Sequence, residues 1–161
     1  MKQIRDVEDC LIYSKESVVD NFNKCIIWMN NQKNDSIVLE QIPLATDEEI
    51  NTHIYFDMDE VPESNIFILI TLFPTIESVS VKGLVAKKVT LSSEIFFTIN
   101  NYGNNSPEYI KGLRYMTVLE KVYIKEARDL GIEMKSLTPL VSTRKDIQRV
   151  QAGVELTFNY A

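Results

Sequence analysis

The feature that most constrains this chain is the run Asn65-Ile66-Phe67-Ile68-Leu69-Ile70-Thr71-Leu72-Phe73. Its apolar residues do not alternate with polar ones, so an extended strand here presents apolar side chains to both sides. Such a strand belongs inside a sheet that is covered on both faces. Pro74 is expected to halt it. At five consecutive apolar residues, Ile66–Ile70, the run is far below the roughly 20 needed to cross a bilayer.

The other elements are expected around this strand. Lys87–Ile99 has period two, with Val89, Leu91, Ile95, Phe97 and Ile99 on one side and Thr90, Ser92, Glu94 and Thr98 on the other. Val150, Ala152, Val154, Leu156, Phe158 and Tyr160 alternate in the same way at the end of the chain. Strands are also expected at Ile37–Ile42, His53–Phe56 and Ile132–Leu137, the last followed by a loop around Pro139 to Asp146. The stretch 75–86, where Val79, Val81 and Val85 alternate, reads as a strand or an extended arm.

Two helical regions flank the strands. In the first thirty residues Ile4, Val7 and Leu11, then Val18, Phe22, Ile26 and Met29, recur at helical spacing. A break near Tyr13 is expected, with Ser14 or Ser17 capping a second helix, and the polar run 30–35 ends it. Ser106-Pro107-Glu108 opens a helix to about Leu130, because Ser caps, Pro suits the first turn and Glu complements the dipole. Its expected apolar stripe is Leu113, Met116, Leu119, Tyr123, Ala127 and Leu130, with Gly131 as the stop. Helices segregated from strands predict a single α+β domain over residues 1–161. Its sheet is mixed but mostly antiparallel, with a helical N-terminus and one long amphipathic helix on one face. That helix cannot cover all the apolar sheet, so the second face, with Phe96 or Phe97, is expected to be an interface.

Charge is unevenly distributed in this chain of net charge −6. Between Lys33 and Lys82 there is no Lys or Arg, yet the stretch holds ten acids. From Lys82 onward twelve bases face eight acids. That asymmetry suits oriented contacts between unlike protein faces, and argues against a nucleic-acid grip, which needs clustered bases. Arg144, Lys145 and Arg149 form the one compact basic group near a loop. Without interleaved aromatics it reads as a solvated loop or a salt-bridging contact to another subunit.

Residues for catalysis are sparse. His53 is the single histidine and has no patterned nucleophile beside it. Cys10 and Cys25 read as small core residues, with a disulfide or metal pair as the alternative. Asp57-Met58-Asp59-Glu60 lacks the glycine and distal glutamate of a calcium loop, and Val61-Pro62 interrupts it. No glycine-rich phosphate loop occurs. Trp28 reads as a core or interface anchor. The expectation is a protein that is not an enzyme and takes no cofactor or metal.

In layout the chain resembles the tail-terminator and neck proteins of tailed bacteriophages. The resemblance rests on the helical N-terminus, the strands Asn65–Phe73 and Lys87–Ile99, the helix Ser106–Leu130, and a terminal strand pair ending in Gln148–Phe158. It implies a virion subunit made in the host cytoplasm: a ring, commonly a hexamer, joining the tail tube and sheath to the head connector. It further implies that DNA passes through the hole only as cargo, with no membrane contact. On that reading Val79, Val81, Lys82, Leu84 and Val85 are the candidate arm to a neighbour. Asp47, Glu48, Glu49, Asp57, Asp59 and Glu60 become the candidate acidic channel or ring face, and Arg144, Lys145 and Arg149 the candidate inter-subunit cations. The alternatives are a head-completion or connector adaptor, another tail protein, or a cytosolic small-ligand-binding domain.

Overall fold

A computed structural model describes residues 3–57, 59–81, 83–99, 106–124, 132–144 and 148–160. For 74–76, 79, 81, 84 and 132–144 it gives the backbone alone. The order is α1 (Val7–Lys33), α2 (Asp47–His53), β1 (Ile54–Tyr55), β2 (Ile66–Val81), β3 (Leu84–Thr98), α3 (Pro107–Ile124), β4 (Ile132–Arg144) and β5 (Arg149–Tyr160). The five strands form one sheet in the order β1-β2-β3-β5-β4, antiparallel except for the β1–β2 pair. The fold is α+β, with α3 packed against both α1 and the sheet.

Helix α1 is continuous, which corrects the expected break at Tyr13. Asp6 caps it by accepting the Asp9 N–H at 2.8 Å, and Asn34 ends it in the left-handed region at φ 48°. Ser14 and Ser17 are buried inside the helix rather than capping one, and Ser14 Oγ donates to the Cys10 carbonyl at 2.9 Å. Helix α3 starts as expected, with Ser106 Oγ accepting the Tyr109 N–H at 3.2 Å. Its buried face is Gly112, Tyr115, Val118, Leu119, Val122 and Tyr123; Leu113, expected on that face, is exposed. The expected positions Ala127, Leu130 and Gly131 lie outside the described residues.

Neither proline ends its strand. β2 runs past Pro74 with a register shift between Leu72 and Ile76. β4 runs past Pro139 with one between Ser136 and Val141. A proline cannot donate to the ladder, and the local irregularity at each accommodates it. The segment 75–86 is therefore the end of a β2–β3 hairpin, turning at Gly83 with φ +79°.

Residues 37–42 join no sheet, which corrects the expected strand. Side chains from the helices replace its strand partner. Leu39 N–H donates to Asn30 Oδ1 at 2.9 Å, and Asn30 Nδ2 donates back to the Leu39 carbonyl at 3.1 Å. Tyr115 Oη accepts from Glu40 N–H at 2.9 Å and donates to the Glu40 carbonyl at 3.1 Å. Asn23 does the same for Ile42, at 3.0 and 2.7 Å. Arg114 completes the strap with a fork onto Asp35 at 2.9 and 2.6 Å and a bond to the Ile37 carbonyl at 2.7 Å.

The Arg114 guanidinium holds the Asp35 carboxyl down at about 2. A depressed folded pKa stabilises the protein fully above the ordinary carboxylate value near 4, and that contribution is lost as pH falls toward about 2. The melting-temperature gap between wild type and Asp35→Asn is therefore expected to be widest near neutral pH and to close between about pH 4 and 2. Asp35 is partly exposed, so added salt should narrow the gap at neutral pH.

Under α1 and α3 the core is one layer of alternating strand residues. Ile66, Ile68 and Ile70 meet Val89, Leu91, Ile95 and Phe97, then Val150, Val154, Leu156 and Phe158. Ser93 shares this face and is satisfied by Tyr123 Oη at 2.7 Å. The opposite face carries a separate cluster. Phe67 and Phe96 stack at 5.0 Å, and Tyr55 meets Phe67 edge-on at 5.9 Å. Phe67 and Phe96 are essentially fully buried, so this second face is closed within the chain at that point. The expected uncovered apolar surface is not at Phe96.

Candidate functional site

Among the described residues the exposed large apolar side chains are elsewhere, in four places, one of them Val38 on the strap. Ile27, Trp28, Leu113 and Ile124 lie on the helix layer, where Lys121 Nζ sits 4.2 Å over the Trp28 ring. Phe56 and Val61 lie at the β1 edge, and Val85 lies near the tip of the β2–β3 hairpin.

The hairpin tip is built by strand lengths. Among the described residues the last β3–β5 pair is Lys87–Tyr160, and β2 and β3 continue through Val79–Ala86, Ser80–Val85 and Val81–Leu84. Those three pairs lie past the last described residue of β5, with Val85 72% exposed. Of the expected arm residues, Val79, Val81, Leu84 and Val85 are on this hairpin tip, and Lys82 lies outside the described residues. An isolated two-stranded ribbon has little stability of its own, and an exposed β-branched residue on one invites a partner surface.

The six expected acidic residues fall in two groups either side of β1 in the chain, with a different local cause from the one anticipated. Asp47, Glu48 and Glu49 are the first turn of α2, not a loop between strands. Thr46 and Glu49 form a reciprocal capping box, so Glu49 has a structural task, while Asp47 and Glu48 remain exposed. Asp57, Asp59 and Glu60 follow β1 and are exposed. His53 closes α2, its Nδ1 donating to the Glu49 carbonyl at 2.8 Å.

Arg149 departs from its expected role. It is 8% exposed and engaged within its own chain. Nη1 donates to the Asn65 carbonyl at 2.5 Å, Nη2 to the Pro62 carbonyl at 3.3 Å, and the guanidinium lies 5.4 Å over the Phe67 ring. Burial lowers its pKa, and no carboxylate pairs with it among the described residues. It fastens the 62–65 segment over the second face, so it is not free to reach another subunit. The side chain of Arg144 and all of Lys145 lie outside what is described.

Cys10 and Cys25 are buried free thiols. Burial, aided by Asp9 and Asp6, pushes the Cys10 thiol up to about 12, and burial raises Cys25. Both are held in the unreactive thiol form. Among the described residues, no three His, Cys, Asp or Glu side chains converge as a metal set, and no helix is long and apolar enough to cross a membrane. No protein-family model, curated protein or solved structure matches the chain.

Proposed function

We infer that this chain is a structural subunit of a tailed-phage virion, a ring-forming tail-terminator or neck protein between tail tube and head connector. The observation that carries the reading is the β2–β3 hairpin tip, which continues past the last described β5 residue and holds Val85 out to solvent. A hairpin tip of that kind gains stability by lying on a neighbouring copy. The acidic groups either side of β1 support the same reading in two ways. Their like charge would let DNA slide without sticking, and they offer an unlike face to the base-rich second half of the chain.

The test is the oligomeric mass of two chains, wild type and one in which Val79–Val85 is replaced by a two-residue Asn-Gly turn. The wild type is expected to give a closed ring of 18.5 kDa subunits, alone or on added tail tubes. The shortened chain is expected to stay monomeric with an unchanged circular dichroism spectrum. A wild type that remains monomeric in both settings sinks the reading, as does a shortened chain that assembles equally well. Binding to tubes rather than to a portal ring separates the terminator from a head-completion adaptor.

A further inference from the structure

At the end of the sheet where β3 stops and α3 starts is a cavity of about 220 Å³. It is smaller than the roughly 300 Å³ at which cofactor and drug-sized sites begin, and it suits a group the size of one side chain. Its walls combine two kinds of surface. Phe97 and Tyr115 provide aromatic rings, 5.2 Å apart and tilted at 49°. Glu40 and Glu108, two acidic residues, line it as well, with Asn65 and Thr98 beside them.

Glu108 is the unusual member. It is 8% exposed, and its Oε2 is buried with no hydrogen-bond partner. Its place in the first turn of α3 favours the negative charge, but the helix dipole supplies no donor to Oε2. A buried oxygen left without a donor is costly, so it marks a missing partner. Lys111 also lines the cavity, yet it forms no ion pair with either carboxylate among the described residues. Two carboxylates and one ammonium leave a single negative charge uncompensated.

We propose that this cavity binds an alkylguanidinium group, packed at the edge of the Phe97–Tyr115 pair and donating to Glu108 and Glu40. A guanidinium is the one common cation that is both planar enough to stack on rings and forked enough to reach two carboxylates. Its single charge closes the balance left by Glu40, Glu108 and Lys111. The group could come as a free small molecule or as an arginine side chain of another protein chain. The site acts whether or not the chain forms a ring.

Calorimetric titration with agmatine, and separately with acetyl-arginine-amide, tests the proposal on the intact chain. Saturable one-to-one binding of agmatine is expected, and propylurea, of similar shape but neutral, should not compete. Binding of the blocked amide as well assigns the site to a presented side chain; its failure to bind assigns a free ligand. Glu108→Gln keeps the shape and should weaken agmatine binding about tenfold or more. Lys111→Met removes a competing charge and should strengthen it. The proposal is overturned if agmatine does not bind the wild type, if Glu108→Gln binds as well as the wild type, or if binding appears only in Lys111→Met. The last result would mean that Lys111 already serves Glu108.

Discussion

Arg149→Ala is expected to lower unfolding stability by about 3 kcal/mol, although the residue sits at a strand end beside a turn. Hydrogen bonds to a charged group contribute about 1.5–3 kcal/mol where burial excludes water, and Arg149 makes two to the carbonyls of Asn65 and Pro62. Its guanidinium also roofs Phe67, so truncation exposes the ring stacked on Phe96. Arg149→Met divides these contributions, since it keeps an apolar stem and removes the donors. It should recover about half the loss, on the view that packing and polar contacts weigh similarly here. Urea unfolding with an unchanged slope is the measurement. If alanine is within about 0.5 kcal/mol of wild type, the range for ordinary surface changes, then Arg149 is an exposed loop cation after all.

Gly153→Ala should also be strongly destabilising, by about 2–3 kcal/mol, as overpacking in a fixed backbone is. The usual expectation has the opposite sign, because alanine in a strand interior costs less chain entropy than glycine. Geometry decides the matter. A Cβ at Gly153 would lie 2.5 Å from the Ser93 carbonyl oxygen and 2.9 Å from Glu94 Cα. Those are main-chain atoms of the adjacent strand β3, so no side-chain rotation relieves the contact. The double variant Gly153→Ala, Glu94→Ala removes the third close neighbour, Glu94 Cγ at 2.6 Å, and should recover little. Equal or greater stability in Gly153→Ala would show that β3 and β5 can separate there without loss.

The periodic elements were legible because one face of each is buried. The alternation of β3 and β5 placed Leu91, Ile95, Val154 and Leu156 on the core side, where they lie. Boundaries were less legible. Pro74 and Pro139 look like strand ends, but a register shift lets the chain continue, and a shift depends on a partner strand distant in sequence. Thr46-Asp47-Glu48-Glu49 carries a capping signature that could have disclosed α2; the acids drew attention as charge instead. For the candidate sites, the alternating Val79, Val81 and Val85 suggested a strand or an extended arm, and the turn at Gly83 that folds it onto β3 was not read. Arg149 could not be read, since its partners are carbonyls more than eighty residues away. Glu108 looked like an ordinary first-turn acid, and only its burial distinguishes it.

The strap at residues 37–42 has a consequence for how this chain can change over generations. It is held by its main-chain atoms, while the specific side chains are Asn23, Asn30 and Tyr115, far off on the helices. Exposed positions of the strap such as Val38 and Gln41 are thus free to drift, whereas the three helix residues are pinned. Substitutions at the two ends of these contacts would leave no correlated record, because one partner in each is backbone that every amino acid except proline supplies equally.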